Sequence, residues 1–267
     1  MSMISTVKQE LLTRHLHFWA QGALQRARRV TYVHGYADDD GGVAAEAAMR
    51  VLTVLPDLAR GRELSMVAVG RDMTEAGKRL STGRAGLNVL PIGGGTDERL
   101  AVVLKAVGAV NVPLLGYLDA SAAPEPPAVT TIGALAAGKP ADVLLVLPPG
   151  TAHQRPDFPL VSTTALANGE VVVFATTSGR NLESFKESLW AADPDRRPDD
   201  GALRADILAH LDKAGAATVT ELRTFTLTST DHRAADATRV LHLLVDEGAV
   251  TREPADGRLG GDVVISL

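Results

Sequence analysis

Thr31-Tyr32-Val33-His34-Gly35-Tyr36-Ala37-Asp38-Asp39-Asp40-Gly41-Gly42 decides how the fold is read. Residues 31–34 have strand character, the glycines and aspartates after them break it, and residues 43–55 carry an apolar pattern of helical period. Strand, loop and helix in that order open a βαβ unit. The alternation recurs downstream, with apolar runs at 65–69, 87–90, 113–118, 142–147 and 170–175 and helical patterns at 74–80, 96–107, 129–137 and 182–190. A further amphipathic helix precedes the segment at 8–28, with Leu12, Leu16, Trp19 and Ala23 on one face. Alternating strands and helices predict an α/β fold with right-handed crossovers and a doubly wound, mostly parallel sheet. Such sheets bind ligands outside the carboxyl ends of their strands, which puts the 35–42 loop in the binding crevice.

The rest of the chain narrows the chemistry. With 267 residues, 45% of them hydrophobic and 22% charged, it has the composition of a globular protein of one to two domains. It has no cysteine, which excludes disulfides, thiolate metal sites, iron–sulfur ligation and a cysteine nucleophile. No apolar run reaches membrane-spanning length and the first residues lack a signal-peptide core, so a cytoplasmic protein away from membranes is expected.

Residues 192–201 are rich in Pro and Asp and read as a linker between two domains, 1–192 and 199–267. Past it come helical patterns on Leu203, Ile207 and Leu211, a helix start with Thr220 as candidate N-cap, a helix at 231–247 closed by Gly248, and a terminal hairpin. Three helices and a hairpin predict a winged-helix domain. Residues 1–198 hold 20 basic and 20 acidic side chains, whereas residues 199–267 hold 7 and 12, so the net charge of −5 lies wholly in the second domain. Phosphate neutralisation supplies most non-specific nucleic-acid affinity, so nucleic acid is not the expected partner. A protein partner is, through the winged helix, and a homodimer is one form of such pairing.

Three consecutive aspartates in the crevice loop oppose a phosphate cradle and suit a hard cation, unless Asp40 caps the following helix. The spacing of His34, Asp38 and Asp40 resembles the first metal motif of the DHH phosphoesterases, but the chain has no adjacent histidines for the later motif of that family. No metal site is assigned. Gly93-Gly94-Gly95 ends a strand and either admits a ligand at Gly94 or makes a tight turn before a helix capped by Thr96. His15 and His17 lie two apart on a helix and cannot share an ion. Ser178-Gly179 lacks a nucleophile elbow.

A second resemblance covers nearly the whole chain. Lys8-Gln9-Glu10-Leu11-Leu12-Thr13-Arg14-His15-Leu16-His17-Phe18-Trp19 resembles the opening helix of the three-Cys-motif partner (TcmP) proteins. The loop from His34 to Asp40 stands where that family has Asp-Gly-Phe-Ala-Gly-x-Gly, and Leu118-Asp119-Ala120-Ser121-Ala122 where it has Asp-Pro-Phe-Gly. Phe174-Ala175-Thr176, with Lys186 and Trp190 on the helix after it, resembles the family's late strand and helix. The resemblance implies a class I methyltransferase-like fold binding S-adenosylmethionine (SAM) through His34, Gly35, Tyr36, Ala37 and Asp38. Asp72 would hold the ribose hydroxyls, Gly94 would admit the cofactor, and Asp119 would orient the acceptor.

The departures from the pattern are His34 for the first acid, Asp38 and Asp40 for two glycines, Gly70 where an acid should end the second strand, and the missing Pro-Phe-Gly after Asp119. Added carboxylates repel the carboxylate of methionine in a low-dielectric cleft. The expectation is therefore a SAM-dependent methyltransferase-like protein with a degenerate cofactor loop, or a non-catalytic scaffold or regulatory subunit.

Overall fold

The computed structural model describes residues 3–80, 85–151 and 157–267, and the chain divides into two units, Met1–Ala192 and Asp193–Leu267. The first unit runs α1 (Met3–Arg26), β1 (Arg29–Gly35), α2 (Val43–Thr53), β2 (Glu63–Gly70), α3 (Thr74–Arg79), β3 (Leu87–Gly93) and α4 (Thr96–Ala106). It continues with β4 (Leu114–Asp119), α5 (Val129–Leu135), β5 (Ala141–Leu147), β6 (Leu160–Ala165), β7 (Val171–Thr176) and α6 (Gly179–Ala192). The seven strands form one sheet in the order β3-β2-β1-β4-β5-β7-β6. All neighbours pair in parallel except β7, which runs antiparallel to both β5 and β6. The unit is thus a mixed α/β fold on a mostly parallel sheet, and its strand order turns back between β1 and β4.

The pleat sorts side chains to two helical layers. Val33, Val67, Leu118, Val143, Leu145 and Val173 pack with Leu100 and Leu104 of α4 and Leu135 of α5. The alternate residues Tyr32, His34, Tyr117 and Asp142 face the other way, toward the layer where α1 packs on α2 and α6. β1, β4 and β5 are buried along nearly their whole length, as strands covered on both faces must be.

β6 has no counterpart in the sequence reading, which expects six strands. It is an edge strand with one partner, and Ser162, Thr163 and Thr164 give it no apolar signature, although Ser162 and Thr164 are buried.

The second unit runs α7 (Asp200–Ala214), β8 (Ala216–Thr218), α8 (Val219–Ser229), α9 (Ala234–Asp246), β9 (Thr251–Glu253) and β10 (Val264–Ser266). Its three short strands pair antiparallel in the order β8-β10-β9. Leu203, Ile207, Leu211, Leu222, Leu241, Leu244 and Ile265 form its core. Thr218, not Thr220, caps α8. Its hydroxyl accepts from the Glu221 N–H at 3.2 Å while the Glu221 carboxylate returns to the Thr218 N–H at 2.7 Å. Pairing of β8 with β10 leaves Thr218 extended at the cap position, whereas Thr220 is already inside the helix. α9 starts at Ala234, three residues later than the sequence predicts, because Asp236 turns back to the Arg233 N–H at 3.0 Å. Among the described residues no helix is long and apolar enough to cross a membrane.

Candidate functional site

The carboxyl ends of β1, β2 and β4 meet where the strand order turns back, and α1 reaches the same edge through Lys8. Thr96, the first residue of α4, ties two of these strand ends together. Its hydroxyl accepts the Tyr36 N–H at 2.8 Å and donates to the Val69 carbonyl at 3.2 Å, so it acts as a tie and leaves the N-cap position to Gly95. Tyr36 leaves β1 with φ 55°, held in this left-handed turn by Thr96 and by its own hydroxyl on Asp97 at 2.9 Å.

The aspartates of the loop serve the chain's own backbone. Asp38 accepts the N–H groups of Arg71 at 3.0 Å and Asp72 at 2.8 Å. A Cβ at residue 70 would collide with the Asp38 carboxylate, so Gly70 is required for that approach. Asp40 accepts the N–H groups of Gly42 at 2.9 Å and Ala44 at 2.8 Å, filling the first turn of α2. Asp72 turns to the Thr74 N–H at 2.9 Å at the start of α3, and those bonds hold its carboxyl below the ordinary range. Asp39 is left toward the cavities, and burial, followed by Asp38 and Asp119, pushes its carboxyl up.

Asp119 ends β4 facing α1. Lys8 Nζ lies 3.1 Å from its Oδ2, 3.1 Å from Glu170 and 2.9 Å from Ser121 Oγ. Ser121 donates to Asp119 Oδ1 at 2.6 Å, and the Tyr117 hydroxyl donates to Oδ2 at 3.2 Å. Burial pulls the Lys8 ammonium down, but Asp119 and Glu170 outweigh it and the net shift is upward. Lys8 therefore stays protonated and cannot serve Ser121 as a base. His34 is buried beside this group, with Nδ1 2.8 Å from the Tyr32 hydroxyl. Burial lowers it to about 4, against Asp40 and Asp119, so its ring is neutral at neutral pH.

The residues singled out from the sequence fall around three cavities. Tyr36, Asp38, Asp39, Arg71, Gly94 and Asp97 line one of about 330 Å³. Lys8, His34, Asp39, Asp40, Asp119 and Ser121 line a small one of about 80 Å³. Lys8, Asp40, Tyr117 and Asp119 line a third of about 350 Å³. Gly35 and Ala37 line none of these; Gly35 is packed against Leu118 and Thr96, and the Ala37 N–H goes to the Val69 carbonyl at 3.0 Å. Gly94 is at φ 111° and its N–H closes the turn onto the Gly70 carbonyl at 3.1 Å. Asp72 lines none of the three. Lys8, Ser121 and Glu170 are the members that reading the sequence misses, because only folding brings residues more than 100 positions apart together.

Two consequences follow for ligands. Among the described residues no three histidine, aspartate or glutamate side chains are placed to hold a metal ion. His34, Asp38 and Asp40 do not converge as the phosphoesterase spacing would require, because each binds a different part of the chain. Nor do the residues fit a SAM cradle: Asp38 covers the end of β2, Asp40 occupies the N–H groups of α2, and Lys8 neutralises Asp119.

No protein-family profile matches the chain, and no curated protein matches it. Among solved structures it is similar to the crystal structure of human methyltransferase-like protein 13 in complex with SAH, at 13% identity and a TM-score of 0.40, over 77% of this chain and 98% of that one. A likeness this distant does not say what the present chain binds.

Proposed function

We propose that the protein is a methyltransferase-like scaffold of the three-Cys-motif partner type that does not take up SAM. The strand order β3-β2-β1-β4-β5-β7-β6, with β7 alone reversed, supports a class I methyltransferase-like ancestry for the first unit. The observation that carries the non-catalytic reading is the pair of bonds from Asp38 to the N–H groups of Arg71 and Asp72. They place a carboxylate of the protein over the strand end where the resemblance puts the cofactor ribose. Asp119, the expected acceptor-orienting residue, is consumed by Lys8 and Ser121.

The second unit supports a protein partner. Its helix–strand order and antiparallel β8-β10-β9 sheet suit a winged helix, with α9 as the exposed candidate recognition helix. The cations of α9 are already paired: Arg239 with Asp200 and Asp236, and Arg233 with Asp236 at 3.0 Å. Little positive charge remains to meet phosphate, which favours an interface with protein. Thermal melting with and without SAM or S-adenosylhomocysteine tests the reading. No shift is expected with either, and a saturable stabilisation would refute it.

A further inference from the structure

We infer that the first unit binds a small organic phosphate in a groove at the amino edge of the sheet, opposite the crevice described above. The groove has a volume of about 570 Å³, within the usual range for small-molecule pockets. Arg26, Arg28, Arg29 and Lys139 line it, and no acidic side chain among the described residues does.

Topology explains the location. Arg26 ends α1, Arg28 and Arg29 lead into β1, and Lys139 precedes β5, so all four sit where parallel strands begin. β7 is the one reversed strand, so the helix after it, α6, starts at this edge while the helices after β1, β2 and β3 start at the other. Thr177, Ser178 and Asn181, around the first turn of α6, line the same groove. The Ser178 hydroxyl already accepts the Asn181 N–H at 3.3 Å, so the start of α6 adds its dipole, and not a full set of open N–H groups, to the four cations.

The cations are not equally free. Arg28 and Arg29 both lie near Glu63, at 3.8 and 3.7 Å, whereas Arg26 and Lys139 form no ion pair within 4 Å among the described residues, though Arg26 is attracted at longer range to the buried Asp142. Arg26 and Lys139 are therefore the principal anchors. Guanidinium forks match phosphate oxygens in two-point contacts. One carboxylate, Asp142, lies behind the wall. It is fully buried and held by Trp19 Nε1 at 2.8 Å, by Asn181 Nδ2 at 2.8 Å and by the Thr176 hydroxyl. Trp19, Ala23, Val112, Pro113 and Pro140 add apolar surface for the body of a ligand. That surface, and the balance of 20 basic and 20 acidic side chains over residues 1–198, favour a compact organic phosphate over a nucleic-acid strand.

Calorimetric titration of the full chain with pyrophosphate and with adenosine 5′-monophosphate, in buffer free of divalent ions, tests the site. Both are expected to bind saturably. Arg26→Gln combined with Lys139→Gln should weaken each at least tenfold, Lys139→Gln alone less, and Arg50→Gln on exposed α2 not at all. All these positions are exposed, so the ligand-free melting temperature should not move. Absence of saturable binding, or binding unchanged in the double variant, would overturn the assignment. A single-stranded oligonucleotide that binds more tightly than the monophosphate and is lost in the double variant would also overturn it, in favour of a nucleic-acid strand.

Discussion

Asp38 and Asp72 stand 34 positions apart and are joined by a 2.8 Å hydrogen bond from the Asp72 N–H to the Asp38 carboxylate. The bond closes the β1 loop onto the end of β2, and the Arg71 N–H doubles it. A glycine at 38 would leave those two N–H groups open. The aspartate thus makes the loop an internal tie.

The tie has a measurable effect on stability. Asp38→Ala removes two hydrogen bonds to a charged acceptor, each of order 1.5–3 kcal/mol at most and less where water competes. A net loss of about 1–3 kcal/mol is expected in urea denaturation. An unchanged midpoint would show that water replaces the carboxylate at no cost.

Lys8 and Asp119 should behave as a coupled pair. Lys8→Met is expected to cost about 1–3 kcal/mol, because it leaves the partly buried Asp119 and Glu170 without their cation, and Asp119→Asn less, because Lys8 keeps Glu170 at 3.1 Å. The double variant should cost less than the sum by about 0.5 kcal/mol or more, and strict additivity would deny the pair. The Lys8 ammonium is raised above its ordinary 10.5 in the folded state. Its contribution is therefore complete below that pH and lost as pH rises past it, a loss that Lys8→Met should abolish.

The parts of this architecture legible in sequence are those that depend on neighbours along the chain. β1, β4 and β5 declare themselves as apolar runs because both faces are covered, and Asp40 is readable as a cap because the N–H groups it accepts are two and four residues away. β6 is not legible, since an edge strand can carry Ser162, Thr163 and Thr164 without an apolar signature. Thr218 and Thr220 cannot be told apart as caps until β8 pairs with β10. The character of the site rests on contacts 33 to 162 positions apart, such as Asp38 with Arg71 and Lys8 with Glu170, which no local pattern encodes.

His15 should make the first unit acid-sensitive. It is fully buried between Phe174 and Phe185, with ring centroids 4.7 and 6.0 Å away, and neither nitrogen has a hydrogen-bond partner among the described residues. Burial lowers it from 6.5 to about 3. The unfolded chain therefore takes up the proton first, and stability present above pH 6.5 is lost as pH falls toward 3. His15→Leu should stabilise by about 1–3 kcal/mol at pH 7 by removing an unpaired polar ring, and by about 2 kcal/mol more at pH 5. Equal effects at the two pH values would contradict the buried, neutral imidazole.

Residues 193–267 should not bind duplex DNA at physiological salt. Arg204 pairs with Glu247 at 2.5 Å, Arg239 with Asp200 at 2.5 Å, and Arg252 folds onto the carbonyls of Pro254 and Gly257. Fluorescence anisotropy with labelled duplex should show no binding below about 10 μM, the middle of the usual range of non-specific affinity. Submicromolar, salt-sensitive binding would reverse the assignment of this unit to a protein partner.

The central claim is that the crevice at the end of β1 is closed by its own carboxylates. Isothermal titration of the wild-type chain with SAM and with S-adenosylhomocysteine tests it most directly. No saturable heat is expected with either, and micromolar binding of either would contradict the closure.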